Sequence, residues 1–401
     1  MATSQNKIGI ATATIIGMNA MIGAGIFSAP ATLASNVGPA GILAYIFVVV
    51  SVWFMAQSIA RVAYLFPEEG SFYTYAKQWG GHNFGVLVNT SYLCGLLIAM
   101  GLLAQLAGVY LHHFFPTTSP NILGIGALSG LIILNMFGVV LSQLGQHILI
   151  CCTVFPLLAT TIMCLSKTDF SLLTPFAPFG FANVLKATRV VIFGFFGFEC
   201  AASLFNIVEN PKKNVPKALT YSIILIGFLY TFFIGSIILS TPLKYFSSAA
   251  TPLSEVLNII FPNNSWIITI IHASILSAIL GTIHSMIWAS SSLFISFIKL
   301  LKNTYAKNVI KKNILNQRTS VLFIGAAITL SYINFKNLNL FFNLTALFIV
   351  FAYVSSMVTL LTIKKEWKSG QNIKTLFGIA TALAIFIFAL QDLIAELIKI
   401  A

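Results

Sequence analysis

Residues 19–30 read NAMIGAGIFSAP and residues 192–200 read IFGFFGFEC. Each stretch lies inside an apolar run of 20 residues or more, the length a helix needs to cross a bilayer. Each run is interrupted near its middle by paired glycines, Gly23 and Gly25 in the first, Gly194 and Gly197 in the second. One glycine pair in an apolar helix signals only close helix packing. Two interrupted runs at matching places in the chain signal an inverted-repeat secondary transporter, whose halves each open on a broken helix.

Reading outward from these two runs gives eleven spans. The first five are Ile8–Ala29, Pro39–Arg61, Phe84–Phe115, Ile122–Leu141 and His147–Ser166. The next five are Lys186–Val208, Lys217–Ser240, Ser265–Leu300, Arg318–Phe335 and Leu338–Ile363, and Ile373–Ile398 follows them. A broken span opens each set, and the two unusually long spans, the third and the eighth, hold the same place in each. Five is odd, so the second set is expected to sit upside-down relative to the first. The expected architecture is an all-α integral membrane protein with about 11 transmembrane helices, helices 1 and 6 discontinuous. Its parts are residues 1–166 as a first repeat, 167–363 as a second, and 364–401 as an extra C-terminal span, with no soluble domain.

Composition agrees with the span pattern. Of 401 residues, 58% are hydrophobic and 8% charged, against about a quarter charged in soluble proteins. The formal charge of +13 does not point to nucleic acid, because the cations sit in short loops and form no stripe interleaved with aromatics. With the N-terminus in the cytoplasm, sixteen Lys and Arg fall on that side and six on the other, the asymmetry that orients membrane proteins. The expected location is therefore a cell membrane of the bacterial inner-membrane type, multi-pass, with the N-terminus inside and the C-terminus outside. Lys7 before the run at Ile8, with Ala29-Pro30-Ala31 beyond, imitates a signal peptide. Cleavage there would remove the broken span, so an uncleaved first span is expected. Cys94, Cys151, Cys152, Cys164 and Cys200 show no metal-ligand spacing and read as buried small hydrophobes. No cofactor and no metal are expected.

A helix unwound inside a bilayer exposes backbone N–H and C=O groups that must find partners. The N–H groups at one cut end favour an anion and the carbonyls at the other favour a cation. Two such breaks facing each other suit a zwitterion, with amides around Gly23, Ala24 and Gly25 for a carboxylate and carbonyls for an ammonium. Small residues let a ligand approach the backbone. A free amino acid fits that description.

Three stretches also carry a family resemblance: GMNAMIGAGIFSAPA (Gly17–Ala31), ARVAYLFPEEGSFYTYAKQWGGHNFG (Ala60–Gly85) and FGFFGFECAASLFNIVENPKKNVPKAL (Phe193–Leu219). The chain resembles the amino acid–polyamine–organocation superfamily, its arginine/agmatine antiporters among others. The resemblance implies a LeuT-type five-plus-five fold and alternating access. It places the substrate carboxylate at the backbone of Ala24 and Gly25, with Ile22 and Gly23 beside them in the expected site, and the amine at the carbonyls of Met21, Phe193 and Phe196. The implied side-chain pocket is Gly95, Leu96, Met100, Leu103 and Met286. Where the antiporters carry tryptophan, asparagine and tryptophan, this chain has Phe193, Met100 and Met286, which argues for a neutral apolar substrate over arginine. The family commonly has twelve spans, and eleven here leaves the relatives' homo-oligomer open.

Glu199 is the acidic residue near the middle of a span, where a charge costs about 2.5–3.5 kcal/mol on insertion scales. The resemblance gives it a part in proton-linked gating; a protonated carboxyl bonded between helices is the plainer reading. His272 and His284 lie twelve apart on span 8 without acidic or cysteine partners, and read as polar packing groups. The function expected is secondary transport of amino acids by exchange or proton symport, not catalysis. The partners are then the substrate, protons and the bilayer. Arginine/agmatine-type or polyamine antiport is one alternative, and a transport-incompetent sensor or partner subunit is another.

Overall fold

The first span is not one helix but two. Helix α1 (Ile10–Met21) and α2 (Gly25–Asn36) meet at 52°. The computed structural model describes residues 7–23, 25–68, 71–137, 139–205, 207–246, 253–262, 266–301, 303–334, 338–363 and 371–400. Beyond the first span run α3 (Gly41–Leu65), α4 (Ser71–Phe114), α5 (Pro120–Met136) and α6 (Val139–Leu165). Span 6 is again broken, into α7 (Phe181–Phe193) and the single turn α8 (Cys200–Ser203). Then follow α9 (Pro211–Ser240), α10 (Leu253–Ile260), α11 (Trp266–Leu300) and α12 (Thr304–Lys311). The last three are α13 (Gln317–Asn334), α14 (Leu338–Leu361) and α15 (Gln371–Ile400).

Helices α3, α4, α6, α9, α11, α14 and α15 are each long and apolar enough to cross a membrane, and the bent pair α1–α2 makes an eighth crossing. The remaining expected spans are shorter: α5 has 17 residues, α13 has 18, and span 6 is divided between α7 and α8. The chain is thus a multi-pass membrane protein, inside-out relative to a soluble one. Large apolar side chains such as Phe155, Ile162 and Phe228 are exposed, while Asn89, Gln146, Ser285 and Ser290 are buried. Bilayer chains solvate the first group, and packed helices supply partners for the Gln146 Oε1, Ser285 and Ser290.

Two boundaries differ from the sequence reading. The segment before span 3 is helical from Ser71, and the break comes at Gly81, whose φ of 76° suits glycine. Span 4 stops at Met136, and span 5 begins at Val139, well before His147. Its polar residues read as a loop, yet Gln146 is fully buried and bonded to span 1. Cys151 and Cys152 are also exposed on α6 rather than buried.

Helix α1 sits centrally, packed against α6, α8, α9 and α11, while α14 lies against α4 and α15. At one end the two broken spans are joined by backbone. The Ile8 N–H donates to the Ile207 carbonyl at 2.8 Å, and the Glu209 N–H donates to the Ile8 carbonyl at 2.9 Å, a short parallel bridge.

Candidate functional site

The site begins where α1 stops. Ile22 leaves the helix with ψ of 88°, and α2 restarts at Gly25; Ala24 lies outside the described residues. The break frees carbonyls that helix hydrogen bonds would otherwise use. The Met21 carbonyl accepts the Tyr230 hydroxyl at 3.1 Å and the Gly23 N–H at 2.9 Å. The Thr282 hydroxyl of α11 lies 2.8 Å from the Ile22 carbonyl, 2.9 Å from that of Asn19 and 3.0 Å from that of Ala278. A hydroxyl has one proton to give, so acceptors outnumber donors there and the end of α1 is electronegative. Behind it, Asn19 donates to the Gln146 side chain at 2.7 Å and backbone at 2.8 Å, and Ser285 donates to the same Gln146 Oε1 at 2.8 Å. This network ties α1 to α6 and α11.

Span 6 approaches the same point. A Cβ built on Gly25 would lie 3.3 Å from the Gly194 Cα, so the two breaks meet backbone to backbone. Gly197 holds a φ of 105°, and a Cβ there would lie 2.5 Å from both the Ala20 carbonyl oxygen and the Met286 methyl.

Between the breaks is a cavity of about 40 Å³. Of the residues expected from sequence, Met21, Gly23, Gly25, Leu96, Met100, Leu103, Phe193, Phe196 and Met286 line it. Ile22 and Gly95 do not. Ile22 is packed in the core with its carbonyl on Thr282. Gly95 is a helix-packing position, because a Cβ there would lie 2.7 Å from Ile349 on α14. The lining adds Ala20, Ala99, Gly194, Thr282 and Ile349, which the sequence reading missed. The space is the size of a few waters.

Glu199 lies in the same broken span as Phe196 and is fully buried. The Tyr92 hydroxyl of α4 donates to its Oε1 at 2.7 Å, the Tyr353 hydroxyl of α14 donates to its Oε2, and the Gly197 N–H reaches Oε2 at 3.2 Å. One carboxyl group therefore joins spans 3, 6 and 10. Phe72 packs on both tyrosine rings, with centroids 4.1 Å and 6.1 Å away, and Phe196 packs edge-on to Tyr353 at 6.3 Å. His272 and His284 have separate partners, Ser254 at 2.9 Å and Asn135 at 2.7 Å, and form no joint site.

Thr282→Val keeps the shape of this wall and removes the hydroxyl that donates to the α1 carbonyls. Two or three carbonyls then share no hydroxyl proton, and an unsatisfied buried group costs about 1–3 kcal/mol. The expected result is a lower unfolding temperature in detergent with uptake strongly reduced, while Thr282→Ser retains both. Equal behaviour of the valine and serine variants would remove the hydroxyl from the account.

Known proteins resemble the chain in sequence and in fold. The family model for amino acid permeases matches residues 12–397. The branched-chain amino acid permease BcaP of Bacillus subtilis is 23% identical over 297 residues, 69% of this chain and 63% of the relative. An uncharacterized transporter of Mycobacterium tuberculosis, Rv1999c, is 24% identical over 285 residues, 71% of this chain and 63% of the relative. The chain thus spans about 63% of the length of these curated relatives. The crystal structure of MhsT in complex with L-phenylalanine superposes with a TM-score of 0.64 at 13% identity, covering 96% of this chain and all of that one. At that identity the likeness is one of fold, and the fold is the LeuT-type arrangement with helices 1 and 6 discontinuous. With a family match running nearly end to end over a fold of that type, the chain belongs to the amino acid permease family.

Proposed function

We propose that the chain carries neutral apolar amino acids across a cell membrane by alternating access, as an exchanger or a proton symporter. The observation that carries this reading is the cavity between the two broken helices. Backbone at Gly23 and Gly25 forms one side, Leu96, Met100, Leu103, Phe193, Phe196 and Met286 form most of the apolar wall beside Thr282, and among the described residues no charged side chain lines it. An apolar substrate side chain gains roughly 0.8 kcal/mol per buried CH₂ there, and methionines let the pocket adapt to several shapes. A guanidinium brings five donors and a permanent charge. Burying it without acceptors costs several kcal/mol, of which cation–π contact returns about 0.5–2 kcal/mol. The names of two similar proteins point the same way: BcaP is a branched-chain amino acid permease, and MhsT was crystallised with L-phenylalanine.

In this reading Gly23, Gly25 and the neighbouring Ala24 take the substrate carboxylate. The electronegative end of α1 and the Phe193 and Phe196 carbonyls take the amine, and Glu199 couples protons to the movement. The repeats 1–166 and 167–363 supply the two halves that move, with the N-terminus on the cytoplasmic side. The test is competition in proteoliposomes. Excess leucine, methionine or phenylalanine is expected to suppress uptake of labelled leucine well below the level left by equal arginine or agmatine. Stronger competition by arginine would sink the apolar assignment, and absence of any saturable uptake would sink transport itself.

A further inference from the structure

The lysine-rich end of the bundle carries a concave surface that the substrate cavity does not use. It is an open groove of about 980 Å³ between the end of α3 and the start of α9, lined by Tyr64, Pro67, Phe205, Lys212, Lys213 and Lys217 among others. Among the described residues no acidic side chain lines it. Lys212 Nζ and the Arg61 guanidinium each lie 5.3 Å from the Tyr64 ring centroid, so one ring holds two cations at the rim. Asn210 adopts a φ of 43° and Pro211 opens α9, which turns the chain sharply into a 30-residue helix. Both residues line the groove, so the positive end of that helix adds to the lysines.

Below the lysines the exposed face of α9 changes character. Lys217, Tyr221, Leu225, Phe228 and Phe232 are all exposed. At ~100° per residue they fall within roughly 80° of the helix circumference. A cationic groove thus runs into an apolar stripe along a membrane-spanning helix, the polarity of a single amphiphile. We propose that this groove binds an anionic phospholipid, its phosphate among Lys212, Lys213 and Lys217 and its acyl chains along the Tyr221–Phe232 face of α9. Position favours a lipid over a soluble phosphate ester, because the groove stands at the end of two spanning helices, where headgroups already concentrate. Phe205, in the groove wall, is followed by the residues that bridge to Ile8, so the lipid would rest against the tail of a broken span.

The test uses the full chain, purified in detergent, with dioleoylphosphatidylglycerol as the probe and native mass spectrometry as the readout. The wild type is expected to retain the lipid. Replacing Lys212, Lys213 and Lys217 together by glutamine is expected to lower retention roughly fivefold per lysine removed. Replacing Lys307, Lys311 and Lys312 by glutamine removes the same charge elsewhere and should leave retention unchanged. Dioleoylphosphatidylcholine should bind the wild type and both variants alike. Lys217→Gln alone serves as a milder variant should the triple one unfold, with thermal melts in lipid-free detergent as the check. Equal retention by the wild type and the groove variants overturns the proposal, as does an equal loss in the Lys307/Lys311/Lys312 variant. Displacement of the lipid by millimolar glycerol 3-phosphate also overturns it, making the occupant a soluble phosphate ester.

Discussion

Gly197→Ala is expected to abolish uptake and to destabilise the fold by on the order of 3–5 kcal/mol. Two penalties add. The φ of 105° lies outside the range that a residue with a Cβ adopts without strain. The new methyl would also sit 2.5 Å from the Ala20 carbonyl oxygen, backbone of the other broken span that cannot swing aside as the Met286 methyl can. Relief requires the two breaks to separate, which dissolves the cavity between them. A thermal melt in detergent and uptake in proteoliposomes check the result together. Gly194→Ala is the matched control, since its Cβ would meet only Val191 at 3.3 Å and Tyr230 at 3.6 Å; it should be folded and far less impaired. A stable, active Gly197→Ala protein would mean that the unwound part of span 6 is not held as described.

The second large effect is at Glu199. Glu199→Leu leaves the Tyr92 hydroxyl, the Tyr353 hydroxyl and the Gly197 N–H facing an apolar side chain. At about 1–3 kcal/mol per buried unsatisfied group, and with some reorientation of the hydroxyls, a loss of about 3–5 kcal/mol is expected, read as a sharply lowered unfolding temperature. Glu199→Gln differs in kind. Its carboxamide accepts one hydroxyl and donates to the other, so the fold should survive with little loss. It cannot exchange a proton, and its uptake is expected to lose the pH dependence of the wild type. A glutamine variant that melts like the leucine variant would make the carboxylate charge itself the stabilising element. One with an unchanged pH profile would leave Glu199 as a structural tie only.

The broken spans were legible in the sequence because the signal is local. Glycine pairs inside apolar runs need no knowledge of neighbours, and both breaks fall where the glycines stand. Hydroxyl groups in apolar runs give no such signal. Tyr92, Tyr230, Thr282 and Tyr353 look like ordinary spanning residues until the fold brings spans 3, 7, 8 and 10 around the breaks. Gly95 shows the converse. A glycine at a helix seam and a glycine in a pocket are the same letter, and only the Ile349 contact tells them apart. Gln146 misled for a related reason. In a membrane protein, polarity marks the interior as well as the loops, so a buried amide imitates a chain end. The Lys/Arg asymmetry does not tell which cations gather in one groove, because Tyr64 and Lys212 are far apart in sequence.

The bridge between Ile8 and residues 207–209 makes the entry to span 1 a strut. Two backbone hydrogen bonds there couple the leading end of one broken span to the trailing end of the other, so at this end of the bundle they can be displaced only as a pair or after the bridge opens. Any lever acting on one lead therefore acts on both. A bulky tag fused a few residues ahead of Lys7 would thus load both broken spans at once.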